Sequence, residues 1–187
     1  AVGRLGLSVS ADGAYDVKID GKVWFPGGPT KVWSAGKLLS SEDGSLTVTA
    51  SVDLSGTDTM GDFTGKELTW SGRAGNVTFT TQFKLYHDHI IFEQRNGAEI
   101  SEASSGNKDG VATVFPSFVV EPHSDGESRG TLVYDGGNVG ASYRSFEWGE
   151  GDIPFGITGT APIVVFSEDL GTTCVLSPAY NFMAANQ

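Results

Sequence analysis

Glycine punctuation constrains this chain more than any other feature. There are 26 glycines in 187 residues, about twice the roughly 7% of an average protein. They separate short runs in which apolar and polar residues alternate, and almost no stretch carries the i, i+3, i+4 apolar spacing of an amphipathic helix. Alternation at period two puts successive side chains on opposite faces of a strand, and glycine supplies the turns between strands. Runs recurring every 10 to 15 residues or so favour an all-β, antiparallel two-sheet β-sandwich over alternating strands and helices.

The hydrophobic content of 39% and aromatic content of 11% suffice for a buried core. A single domain over residues 1–187 is expected, because one sandwich can run to about 200 residues without dividing. The net charge of -11 argues against nucleic acid and anionic membrane surfaces as partners, since both attract basic proteins. No apolar run approaches the roughly 18 residues of a membrane span. The one cysteine, Cys174 in Thr172-Thr173-Cys174-Val175-Leu176, reads as a buried, inert strand residue, because nothing electropositive stands near it to lower its pKa. Asn76-Val77-Thr78 is a formal glycosylation sequon, a three-residue match that chance alone readily supplies in a Thr-rich chain; an extracellular or vesicular compartment is the expectation.

Along the chain, Tyr15–Ile19, Asp20-Gly21 and Lys22–Phe25 form a hairpin signal, since Asp-Gly suits a two-residue turn with positive φ at both positions. Thr30 to Trp33 adds a short strand. Leu46 to Val52 alternates so that Leu46, Val48, Ala50 and Val52 share one face, and Asp58 to Phe63 reads as a polar connection. Val77 to Tyr86 puts Val77, Phe79, Thr81, Phe83 and Leu85 on one face. The consecutive Ile90-Ile91-Phe92 predicts a strand near the centre of the sandwich, covered on both sides. Asn96 to Gly110 is a polar loop. Further strands are expected at 111–120, 131–134, 141–148, 162–166 and 173–176, with Phe115-Pro116 at an edge or bulge because proline cannot donate to a ladder.

Few residues carry chemistry. His87-Asp88-His89 could offer two imidazoles to a cation, but His123 is remote, so the segment reads as a hairpin turn and no metal or other cofactor is expected. Glu147-Trp148-Gly149-Glu150-Gly151-Asp152 sets three carboxylates around a ring. A sugar stacked on Trp148 beside such a pair is coherent carbohydrate chemistry. Trp24 is a second candidate face. Glu147, Trp148, Glu150, Asp152 and Trp24 are therefore the candidate carbohydrate-binding residues, and none of them forms a recognisable catalytic motif.

Several phrases occur in order: Gly56-Thr57-Asp58-Thr59-Met60-Gly61-Asp62-Phe63, Leu68-Thr69-Trp70, Ile90-Ile91-Phe92-Glu93-Gln94, Val114-Phe115-Pro116-Ser117-Phe118 and Leu176-Ser177-Pro178-Ala179-Tyr180-Asn181-Phe182-Met183-Ala184. Together they resemble the N-terminal β-sandwich of large eukaryotic proteins related to α-galactosidases and raffinose synthases, over residues 45–187. The resemblance implies a supersandwich that precedes a catalytic (β/α)-barrel, with the catalytic aspartates in that barrel, so no catalytic residue carries over. The chain then is the N-terminal part of a longer polypeptide. It supports a downstream catalytic domain that acts on α-glycosides and is not catalytic itself. The alternative is a free-standing, lectin-like carbohydrate-binding module that uses exposed aromatics. A third reading, a small sandwich hydrolase or lyase, would rest on Glu147 and Glu150.

Overall fold

The computed structural model describes residues 4–34, 36–73, 77–97, 113–119, 129–135, 142–147, 162–167 and 171–179. Among them the fold is all-β, with every strand pair antiparallel. The strands are β1 (Leu5–Val9), β2 (Tyr15–Ile19), β3 (Lys22–Pro26), β4 (Lys31–Ser34), β5 (Lys37–Ser40), β6 (Leu46–Asp58) and β7 (Gly61–Gly72). They continue as β8 (Thr78–Leu85), β9 (Ile90–Asn96), β10 (Thr113–Val114), β11 (Gly130–Asp135), β12 (Ser142–Glu147), β13 (Ile163–Ser167) and β14 (Thr172–Leu176).

The chain divides into two compact units, Ala1–Val119 and Val120–Gln187. The first holds three sheets, ordered β1-β2-β3, β10-β4-β5 and β6-β7-β8-β9, and the second holds one, ordered β12-β11-β13-β14. The Asp20-Gly21 hairpin is as expected. Asp20 (φ 49°) and Gly21 (φ 81°) both take left-handed backbone, which lets Ile19 face Lys22. β1 and β5 were not foreseen; Leu5–Val9 and Lys37–Ser40 are too short to carry a clear alternation.

One core serves the three sheets of the first unit. Tyr15 from β2, Val32 from β4, Leu39 from β5 and Leu46, Leu68, Trp70, Phe79 and Phe83 from the four-stranded sheet are buried together. The expected face of β8 is the one that packs inward, with Val77, Phe79, Thr81 and Phe83 all buried. Trp70 stacks on Phe79 at 6.2 Å, and its Nε1–H donates to Thr81 Oγ1 at 2.9 Å, so the two polar atoms enclosed on this face satisfy one another. Tyr15 lies against Phe83, Phe92, Phe115 and Phe118. Its hydroxyl donates to Ser117 O and accepts from Ser117 N–H at 2.8 Å. That pair of bonds ties together residues 102 positions apart.

Four expectations change. Asp58 to Phe63 is no open connection: β6 and β7 run on to a tight turn at Thr59-Met60, with Asp58 facing Gly61. The period of β6 breaks at a register shift between Val48 and Ala50. A bulge of this kind flips every later side chain to the opposite face, so Leu46 is buried whereas Ala50 and Val52 are exposed. β9 ends the order of its sheet instead of lying at its centre, and Ile90 to Gln94 are half-buried. In the second unit Cys174 is half-buried, not buried.

Candidate functional site

Register decides which polar side chains meet on the four-stranded sheet. On the face turned away from the core, Glu67 pairs with Gln82 and Gln82 with Glu93, while Lys84 pairs with Ile91. The outcome is a braced network. Gln82 Nε2–H donates to Glu67 Oε2 at 2.5 Å. Lys84 Nζ stands 4.0 Å from Glu93 and 3.9 Å from Asp58, and 4.9 Å from the centroid of the Phe63 ring. Arg95 Nε–H donates to Glu93 Oε1 at 2.6 Å.

Tyr86 closes the network at one end. Its O–H donates to Asp58 Oδ2 at 2.7 Å, and its ring stacks on His89 at 4.4 Å. Burial pushes the Tyr86 phenol up to about 12, helped by its bond to Asp58 and by the charges of Asp58 and Glu93. The Tyr86 hydrogen bond, joined by the Met60 N–H, holds the Asp58 carboxyl below its ordinary value. Gln82 Oε1 and His89 Nε2 are enclosed without a hydrogen-bond partner. Because Gln82 and Tyr86 are only 8% and 5% exposed, a ligand has no access to the middle of this row. Its chemistry is that of a structural brace.

Access lies on the opposite face. Beyond the bulge a groove of about 460 Å³ opens, lined by Leu7, Val9, Asp53, Leu54, Ser55, Thr64, Gly65, Lys66 and Leu85. Asp53 faces Lys66 across the β6–β7 hairpin, and Lys66 Nζ donates to Asp53 Oδ1 at 2.5 Å. The Lys66 side chain is sheltered at 23% exposure while that of Asp53 is 86% exposed. The pair therefore presents an ammonium and an open carboxylate side by side. Around it are the hydroxyls of Ser55 and Thr64 and the aliphatic Leu7, Val9 and Leu85. Such a lining can donate to and accept from a polyhydroxylated ligand while covering its C–H face.

The residues singled out by sequence do not build this site. Trp24 is 1% exposed and offers no face for stacking, which corrects its assignment as a sugar platform: β3 turns it into the interior, where Phe25 packs beside it at 6.3 Å. Trp70 is enclosed in the core as well. Trp148, Glu150 and Asp152 lie outside the described residues, as does the side chain of Glu147, whose backbone ends β12 opposite Gly130. His87 and Asp88 sit exposed at a turn, with His89 Nδ1 2.8 Å from Asp88 Oδ1. Among the described residues no three His, Cys, Asp or Glu side chains come together as a metal site.

Asp53 and Lys66 were missed because 13 positions separate them. The signal was the turn itself: with Thr59-Met60 as its centre, Asp53 and Lys66 fall opposite one another. No protein-family model, curated protein or solved structure matches this chain.

Proposed function

We propose that the chain is a non-catalytic β-sandwich module of a carbohydrate-active protein, and that it engages saccharide through the groove at Asp53 and Lys66. The observation that carries this reading is the Asp53–Lys66 pair, set in an open groove beside two hydroxyls and an aliphatic floor. An ammonium next to a carboxylate matches two neighbouring sugar hydroxyls, one accepting and one donating, and charged partners strengthen such bonds. The resemblance to the sandwich that precedes an α-galactosidase-like barrel supports the same substrate class. In that setting the module braces the barrel and contributes to holding substrate; as a free-standing module the same groove would serve alone.

No aromatic ring lines the groove, so hydrogen bonds carry the affinity and the expected Kd is about millimolar, roughly -4 kcal/mol. The test is titration of the isotope-labelled protein with a panel of α- and β-linked saccharides, read by amide chemical shifts. Shifts should centre on Asp53, Ser55, Thr64 and Lys66, and should vanish in Asp53→Asn and Lys66→Met. Shifts that persist in both variants, or the absence of any response across the panel, would remove the reading. Peptide mapping of the native polypeptide beyond Gln187 separates the barrel-supporting role from the free-standing one.

A further inference from the structure

Strand β6 has one strand neighbour, β7, among the described residues, and most of its 13 residues are exposed. Natural edges are usually guarded by lysine, proline, bulges or inward charges, and the bulge of β6 sits near its start, at Thr49. β6 reads LTVTASVDLSGTD, with no lysine, arginine or proline, and Asp53, one of its two charges, is already paired within the chain by Lys66. The bulge that follows Val48 turns Ala50, Val52 and Leu54 to the face away from the core, opposite Thr69, Glu67 and Gly65 of β7. Val52 is 55% exposed there.

We infer that β6 pairs with β6 of a second copy of this chain, antiparallel about a two-fold axis at Val52. The strand is complementary to itself in that register. Val52 is the middle of residues 50–54, the run that follows the bulge, so the two copies overlap over that run. Val52 meets Val52, and Ala50 meets Leu54 twice, which gathers six apolar side chains on one face. On the other face Ser51 meets Asp53 twice, a hydroxyl to a carboxylate. Within that run no carboxylate faces another, whereas a register centred on Asp53 would set two carboxylates against each other at a cost.

The product is one sheet of eight strands in the order β9-β8-β7-β6-β6-β7-β8-β9. It removes two exposed edges, and its two-fold axis closes the assembly at two chains. Both Asp53–Lys66 pairs would lie on the same face of that sheet. Pairing does not depend on what, if anything, the groove binds.

The experiment is sedimentation of the 187-residue chain over a range of protein and salt concentrations. Each chain carries a net charge of -11, so the dimer should gain as salt rises from about 0.05 to 0.5 M and screens that repulsion. Val52→Lys, a surface change that leaves the monomer folded by circular dichroism, should raise the dimer dissociation constant by at least about tenfold. In a Cys174→Ser background, Val52→Cys should cross-link to itself under mild oxidation, because directly opposed residues bring their Cβ atoms within disulfide reach. Ala50→Cys should not, since its partner is Leu54. A chain that stays monomeric at about millimolar concentration in high salt overturns the inference. So does a dimer that Val52→Lys leaves intact, or one in which Ala50→Cys cross-links and Val52→Cys does not.

Discussion

Gly65 shows how closely single atoms are fitted in this molecule. A Cβ at that position would run into the carbonyl oxygen of Phe83 on the next strand, and backbone cannot yield as a flexible side chain can. Gly65→Ala should therefore destabilise the protein by about 1–3 kcal/mol, read as a lower urea midpoint with an unchanged slope. Gly13 is held twice over, by φ of +98° and by the Trp70 ring that a Cβ would strike. The hydroxyl pairing of Tyr86 with Asp58 gives the stability a pH signature at each end. Asp58 favours its charged form in the folded state, so its contribution is present above the ordinary carboxylate pKa of 3.8 and is lost as pH falls below it. Tyr86 favours its neutral form, as does Tyr15 for reasons of burial, both being pushed from 10 to about 12. Their contribution is complete below pH 10 and disappears as pH rises through the folded value. Equilibrium unfolding followed from pH 9 to about 12 should fall less steeply in Tyr86→Phe than in the parent, with the remaining slope owed to Tyr15. An unchanged slope would mean that Tyr86 ionises as easily folded as unfolded.

At the scale of elements, the four-stranded sheet is graded from inside to outside. β8 lies between β7 and β9, with Phe79, Thr81, Gln82 and Phe83 buried, whereas β6 is mostly exposed. Local opening follows that gradient, because strands with few buried contacts separate first. Under monomeric conditions the backbone amides of β8 should exchange slowest with deuterated solvent, and those of β6 that point away from β7 should exchange fastest. Raising protein concentration should slow only the β6 amides if the two-fold pairing forms. β8 is also the element whose sequence was most legible: Val77, Phe79, Thr81, Phe83 and Leu85 alternate without interruption, and the inner face follows from period two alone. β6 starts with an equally clean alternation, yet one inserted residue at Thr49 inverts it. Nothing in Leu46-Thr47-Val48-Thr49-Ala50 announces that insertion, because a bulge is settled between strands and not within one.

For the whole molecule, an excess of acidic over basic residues, 23 against 12, makes self-repulsion a general term in stability. Thermal midpoints should rise with added salt at neutral pH, and a flat response would show that pairs such as Lys84–Glu93 already offset the excess. The all-β class, the Asp20-Gly21 hairpin and the inward face of β8 were all legible in the chain, since turn chemistry and side-chain period act between neighbours in sequence. Tertiary structure decided the rest. It enclosed Trp24, turned Val52 outward, moved β9 to the end of its sheet and brought Asp53 to Lys66. Each of those outcomes depends on which strands pair and in what register, and register is set by the simultaneous burial of residues from distant strands such as Tyr15, Val32, Trp70 and Phe83. No local stretch contains that condition, so most of the strands could be read from the sequence and the groove between them could not.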